Sequence, residues 1–265
     1  MSNKKSSNKN IIVIGELCKD IFNYCVVDRL SPEAPVPVLQ VVNSVSNSGM
    51  AGNVFANLKS ITKNRKINVN SLYPKGVVPQ KIRYVDYKTN HYFFRLDKND
   101  SCNRISFTKE TISDIQQADA ILISDYDKGY LMEDDISSIR KMNKSAKIFL
   151  DTKKIITKII YNSVDYIKIN KGEFNRNLYN NPNLLKEYKN KIIITLGEDG
   201  AFHKGVAYKK NAPLHTIDVS GAGDTFMAAL VSSYILSNNI SDSINYANEL
   251  ARKVVQERGV SVAKI

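Results

Sequence analysis

The stretch Asp218-Val-Ser-Gly-Ala-Gly-Asp-Thr-Phe226, "DVSGAGDTF", runs without interruption into the apolar segment "MAALVSSYIL" (227–236). Two glycines and two carboxylates fall within seven residues, immediately before a run that reads as a buried helix. A helix starting near Gly221 leaves its first N–H groups unpaired and turns the positive end of its dipole outward. Glycines let an anion approach that backbone closely. Asp224, in the first turn, is then within reach of a hydroxyl beside the anion. Read on its own, the stretch is also compatible with an ordinary glycine turn and an acidic helix start.

Outward from this turn, the chain alternates strand and helix. "NIIVIGEL" opens as a buried strand, and "PVPVLQVV" and "QKIRYVDYKTNHYFFRLD" alternate like strands of a partly exposed sheet. Ala51, Val54, Phe55, Leu58 and Ile61 recur at helical spacing. "DAILISD", "AKIFLD", "DYIKIN" and "KIIITLG" are compact strands separated by amphipathic segments, and Gly221 to Glu257 reads as two helices broken by "SNNIS". Val260 to Val262 would be a last short strand. This alternation predicts an α/β sandwich whose mostly parallel sheet is covered by helices on both faces. Ligands of such sheets sit at the carboxyl ends of the strands. Asp20, Asp125, Asp151, Asn170 and Gly197 each follow a strand, so five polar positions point to one rim.

Composition narrows the setting. No apolar run approaches the roughly 20 residues that span a bilayer, and residues 1–10 read as a disordered polar tail. Three cysteines (Cys18, Cys25, Cys102) without a CxxC pair predict packed thiols in a reducing, cytoplasmic setting. The net charge of +12 favours anionic ligands. Its lysines are scattered rather than blocked into a patch as nucleic acid would favour; phosphorylated small molecules are the other candidate, and charge alone does not decide between them. The three histidines (His91, His203, His215) lack metal-ligand spacing.

A charge-stabilising cradle beside a positioned base is what phosphoryl transfer requires. "DVSGAGDTF" resembles the C-terminal signature of the ribokinase-like (PfkB) carbohydrate kinases, with Ser220 where that family usually has Thr. The resemblance implies that Asp224 is the catalytic base and that Gly221, Ala222, Gly223 and Asp224 form the anion hole. Asn170-Lys-Gly-Glu173 matches the family's N-x-x-E motif, which organises Mg²⁺ and the nucleotide phosphates, so that Glu173 meets the metal through water or phosphate. Thr195, Gly197 and Glu198 of "TLGEDG", together with Asp218 and Asn248, would complete an ATP site. No GxxxxGK[ST] loop offers an alternative.

"DRLSPEAPVPVLQV", "SDYDKGYL" and "FFRLD" narrow the resemblance to the kinase domains of bacterial heptose-7-phosphate kinase/heptose-1-phosphate adenylyltransferases, across Ile11 nearly to Ile265. It implies a single kinase domain over 11–265 with a small β lid at about 25–42 and 80–97. No adenylyltransferase domain is expected, since nothing follows Ile265 and no H-x-G-H occurs. Asp20 and Asn53 match sugar-binding positions; Lys81, Arg83 and Arg95 would contact the substrate's distal phosphate; Asp125 and Lys128 of "DYDKG" would lie at the rim. The implied reaction, in the ADP-heptose branch of lipopolysaccharide precursor synthesis, is ATP-dependent phosphorylation of a heptose 7-phosphate at its anomeric hydroxyl. A homodimer would form through the lid.

The chain also departs from the pattern. Met50 stands where a second glycine is usual, His91-Tyr92 replaces a Gln pair, and only 18 residues, "TKNRKINVNSLYPKGVVP", separate Ile61 from Gln80. That connection is shorter than the family's usual crossover units. A kinase of another sugar or nucleoside, or a catalytically weak sugar- or nucleotide-binding relative, fits the same features.

Overall fold

The computed structural model describes residues 8–209 and 221–255. Its first strand, β1 (Lys9–Gly15), shows how the layers arise. Successive side chains of a strand point to opposite faces. Ile11 and Val13 therefore enter one apolar cluster and Ile12 and Ile14 another, all essentially buried. A strand apolar on both faces needs a helical layer on each, and both layers are present.

After β1 the chain forms two long strands, β2 (Leu17–Leu30) and β3 (Pro37–Met50), then helix α1 (Ala51–Thr62) and strand β4 (Ile67–Leu72). Strands β5 (Gln80–Asp86) and β6 (Tyr92–Lys98) follow. The chain then alternates through α2 (Lys109–Gln117), β7 (Ala120–Asp125), α3 (Glu133–Met142), β8 (Lys147–Thr152), α4 (Lys158–Ser163), β9 (Tyr166–Asn170), α5 (Lys171–Asn180), α6 (Leu184–Tyr188) and β10 (Ile192–Thr195). A short hairpin, β11 (Ala201–His203) and β12 (Val206–Tyr208), precedes the last described helices, α7 (Ala222–Ser237) and α8 (Ile240–Val254).

The main sheet has the order β12-β11-β10-β9-β8-β7-β1-β4, parallel from β10 to β4 and antiparallel at the β11–β12 end. Helices α1, α7 and α8 pack on one face, and α2 to α6 on the other. The second sheet has the order β3-β2-β5-β6 and forms the lid. The fold is the expected ribokinase-like sandwich. The lid strands run longer than expected, and β1 begins at Lys9, inside the tail anticipated over residues 1–10. Residues 260–262 lie outside the described residues.

Two features went unforeseen. The segment "INVNSL" (67–72) pairs with β1 as the edge strand β4, after which the chain passes directly to the lid. The short connection is therefore one edge strand plus a return. Asp20, shortly after the main-sheet strand β1 as expected, does not stay at that strand's end; it sits within β2, in the lid.

Candidate active site

Because β7, β8, β9 and β10 are parallel, Asp125, Asp151, Asn170 and Thr195 come to one edge of the sheet. Helix α7 starts at that edge. Gly221, at its N-cap, has φ +81°, a left-handed conformation that glycine adopts without strain. Among the described residues no side chain caps this helix start, and the N–H groups of Ala222, Gly223 and Asp224 have no carbonyl within the helix to pair with. A cleft of about 660 Å³ opens in front of them. Of the nucleotide-side residues expected from sequence, Asn170, Thr195, Gly197, Glu198, Asn248 and all of Gly221 to Asp224 line it. Asp218 lies outside the described residues.

The Asp224 carboxylate is buried. One oxygen accepts from Asn53 Nδ2 at 2.8 Å and the other from the Tyr126 hydroxyl at 2.8 Å. Burial raises its pKa to about 6; Asp151 adds to the rise, while the two hydrogen bonds and Lys168 oppose it. Behind Asn53, the Asn57 amide donates to Asn53 Oδ1 at 3.1 Å and Thr225 Oγ1 donates to Asn57 Oδ1 at 3.1 Å. The acid is thus held by a buried polar chain joining α1 to α7. Asn53, read from sequence as a sugar ligand, is here also a direct partner of Asp224.

Lys168 projects from the middle of a buried strand and pairs with Asp151 at 2.8 Å. Burial works against its charge, but Asp151, followed by Glu173 and Asp224, outweighs that and holds the ammonium above its usual pKa. A methyl group added at Gly223 would lie 3.0 Å from Lys168 Nζ, so a buried cation stands against the amide crown. Asn170 and Glu173 form a reciprocal capping box: Glu173 N–H donates to Asn170 Oδ1 at 2.9 Å, and Asn170 N–H to Glu173 Oε2 at 2.8 Å. The other Glu173 oxygen pairs with Lys153. Glu173 therefore stands behind the cleft lining, and among the described residues no cluster of three or more His, Cys, Asp or Glu is gathered to hold a cation. A Mg²⁺ ion here would have to be carried mainly by phosphates and water, with Glu173 the nearby carboxylate.

On the lid, strand register places Asp20, Lys81, Arg83 and Arg95 on one face. Asp20 accepts from Arg83 at 2.6 Å, and the guanidinium lies 4.8 Å from the Phe22 ring centroid. Lys81 Nζ lies 5.4 Å from the Tyr126 ring centroid. Arg95 is exposed and forked onto Asp97 at 2.6 and 2.7 Å. Asp125 closes β7 at that same edge of the sheet, but it and Lys128 are both engaged in ion pairs. Asp125 is fully buried and accepts from Thr152 Oγ1 at 2.7 Å and Lys154 Nζ at 2.8 Å, while Lys128 pairs with Asp100 at 2.6 Å. Neither lines the cleft.

Asp151, one of the five strand-end positions read from sequence, lines the cleft; sequence reading missed Tyr126, Lys153 and Lys168. One signal was available: a lysine inside "YIKIN" must lie on a buried face, and a buried lysine requires an anionic partner.

The sequence profile of the pfkB family carbohydrate kinases matches residues 36–264. The chain belongs to the PfkB family of carbohydrate kinases. Its curated relatives include the bifunctional protein HldE of Helicobacter pylori, 29% identical over 300 residues, with 97% of this chain and 65% of the relative covered. HldE of a Marinomonas species is 28% identical over 297 residues, covering 96% of this chain and 62% of the relative. The chain thus spans less than two thirds of these relatives' length. The Helicobacter match is longer than the 265-residue chain itself, so the relative contains segments that this PfkB kinase lacks.

Solved structures agree on the fold. Ribokinase from Thermotoga maritima superposes with a TM-score of 0.71 at 15% identity, covering 94% of each chain. Ribokinase from Arabidopsis thaliana, complexed with ribose and ATP, gives 0.68 at 14% identity, covering 96% of this chain and 94% of the other.

Proposed function

We propose that this PfkB kinase phosphorylates a sugar that already carries a phosphate, a heptose 7-phosphate, at its anomeric hydroxyl. The observation that carries the reading is the setting of Asp224: its buried carboxylate, in the first turn of α7 and with a pKa of about 6, is hydrogen-bonded to Tyr126, against whose ring the lid's Lys81 lies. A base of that pKa is ionised at neutral pH and still accepts a proton readily. Asp224 takes the hydroxyl proton as the bond to phosphorus forms. The N–H groups of residues 222–224, with Lys168 behind them, stabilise charge on the migrating phosphoryl group. Asn53 orients both the acid and a sugar hydroxyl, and the nucleotide lies along Asn170, Thr195, Gly197, Glu198 and Asn248, completed by Asp218. Glu173, behind the cleft lining, would meet Mg²⁺ only through water or phosphate, and the ion when bound would neutralise phosphate charge.

For the acceptor's own phosphate, the lid supplies Lys81 and Arg83, with Arg95 at the exposed edge. Arg83 is the best prepared of the three, since Asp20 and Phe22 fix its guanidinium. The stretches "DRLSPEAPVPVLQV" and "FFRLD" support a heptose in particular. We further infer a homodimer built through the lid.

The test is ATP consumption with a panel of sugar phosphates, their unphosphorylated counterparts and nucleosides, followed by NMR of the product. The expected result is selective turnover of a heptose 7-phosphate with a new phosphate at the anomeric position, falling below about pH 6. Asp224→Asn lowers turnover by about 10²–10⁴-fold with little change in nucleotide binding. Preference for an unphosphorylated sugar or a nucleoside would overturn the assignment of substrate, and full turnover in Asp224→Asn would remove the base.

A further inference from the structure

Tyr126 has a set of contacts that the phosphoryl-transfer reading leaves unused. It follows β7 in a tight loop whose backbone is stapled from below: buried Glu16 accepts from Tyr126 N–H at 2.8 Å and from Lys128 N–H at 3.1 Å. The side chain reaches the cleft, where its hydroxyl donates to Asp224 Oδ1 at 2.8 Å. Lys81 from the lid and Lys153 from the loop after β8 each bring an ammonium group to 5.4 Å from its ring centroid. Cations near an aromatic ring at this distance are attracted by its π face. One phenol therefore touches the carboxylate, a lysine of the acceptor side and a lysine of the nucleotide side.

We propose that Tyr126 is a positioning residue of the transfer site, fixing the Asp224 carboxylate through its hydroxyl and gathering Lys81 and Lys153 on its ring. This rests on the reading of Asp224 as the base. A carboxylate oxygen has room for more than one donor, so the acceptor's hydroxyl can approach Asp224 with the phenol still in place. The remaining groups that face the acid are Asn53 from α1, Asp151 at the end of β8 and Lys168 from β9. Asn53 and Lys168 favour its charged form along with Tyr126, and Asp151 disfavours it. Removing the phenolic hydroxyl therefore leaves the charged form with less support.

The experiment compares wild type with Tyr126→Phe, which keeps the ring and its lysines and removes only the hydroxyl. Two quantities are read: the pH profile of turnover, and the titration of the Asp224 carboxyl by carbon NMR, assigned by its disappearance in Asp224→Asn. The midpoint and the acid limb should both rise by about one pH unit, the scale of a hydrogen bond to a charged group. Turnover then drops roughly fivefold near pH 6, approaching tenfold at lower pH, and recovers in alkali. A fluorinated tyrosine at position 126, whose more acidic hydroxyl donates more strongly, should move the midpoint downward. A role limited to packing moves neither midpoint.

An Asp224 titration unchanged in folded Tyr126→Phe overturns the proposal, and the NMR reading stands whatever the acceptor sugar proves to be. If Asp224→Asn abolishes turnover while the Tyr126→Phe profile overlays wild type, only the role of Tyr126 falls. If Asp224→Asn turns over normally, the base reading falls and the proposal with it.

Discussion

Asp224 illustrates at single-residue scale how a site can oppose stability. Its pKa of about 6 lies above the ordinary 3.8 of an aspartate, chiefly because it is buried. Between those two values the folded chain binds more protons than the unfolded chain, so stability falls as pH rises across that window. Above pH 6 the full cost of a buried charge is present, about 3 kcal/mol from the size of the shift. Asp224→Asn removes it but leaves one of the two donors, Asn53 or Tyr126, without a good acceptor, which offsets about 1 kcal/mol. The variant should therefore be more stable than wild type by about 1–2 kcal/mol near neutral pH, and the gain should vanish toward pH 4. Denaturant melts at several pH values measure this directly; a variant less stable at neutral pH would show that the carboxylate is not penalised as described. The sequence disclosed Asp224 because its glycine context is rare. It offered Asp151 as one of five polar strand ends, but it did not disclose Tyr126, because an aromatic residue after a strand is commonplace until the fold shows where it points.

Among the elements, the junction of β3 and α1 holds the clearest conflict between sequence and backbone. Met50 has φ +55° and ψ −133° and is almost fully buried. That conformation suits glycine and strains any side chain by about 1–3 kcal/mol. Met50→Ala loses the buried side chain and keeps the strain. Met50→Gly loses the side chain and relieves the strain. The usual order should thus be inverted, with Met50→Gly more stable than Met50→Ala by about 1–2 kcal/mol in chemical denaturation; equal or reversed stabilities would mean that Met50 adopts an ordinary backbone there. Legibility also differed by element. The helix of Ala51 to Ile61 and the strands at Ile11, Ile121, Ile148, Ile167 and Ile192 were evident, since apolar runs with fixed periods admit few alternatives. Strand β4 was not. In "INVNSL" the polar residues alternate with Ile67 and Val69, and six residues beside a turn-rich segment carry little signal until β1 supplies a partner. The N-x-x-E motif was legible twice over, because Asn170 and Glu173 also satisfy the capping-box pattern.

For the whole molecule, the lid sets two faces against opposite requirements. One carries Asp20, Lys81, Arg83 and Arg95. Register places Ile21, Ile82, Tyr84, Phe94, Leu96 and Val41 on the other. Tyr84 and Phe94 stack there with ring centroids 4.6 Å apart, yet Phe94 is 49% exposed, Leu96 39% and Val41 51%. Contiguous apolar surface of this kind, on a sheet with two open edges, is a mark of an interface. Among the described residues no helix is long and apolar enough to cross a membrane, and a second copy of the chain presents the same apolar face in return. Two such chains each carry a net charge of +12 and repel at long range. The association should therefore be apolar in origin and should strengthen with added salt, which screens that repulsion within about 10 Å at 0.1 M. An interface of ion pairs would weaken instead. Sedimentation velocity should show a dimer at micromolar concentration that becomes tighter between low and moderate salt. Phe94→Lys places a charge in the centre of the face and should yield monomers, with the Arg83–Asp20 pair on the opposite face undisturbed. A wild-type monomer at all salt concentrations, or dimers that persist in Phe94→Lys, would exclude the lid as the dimer face.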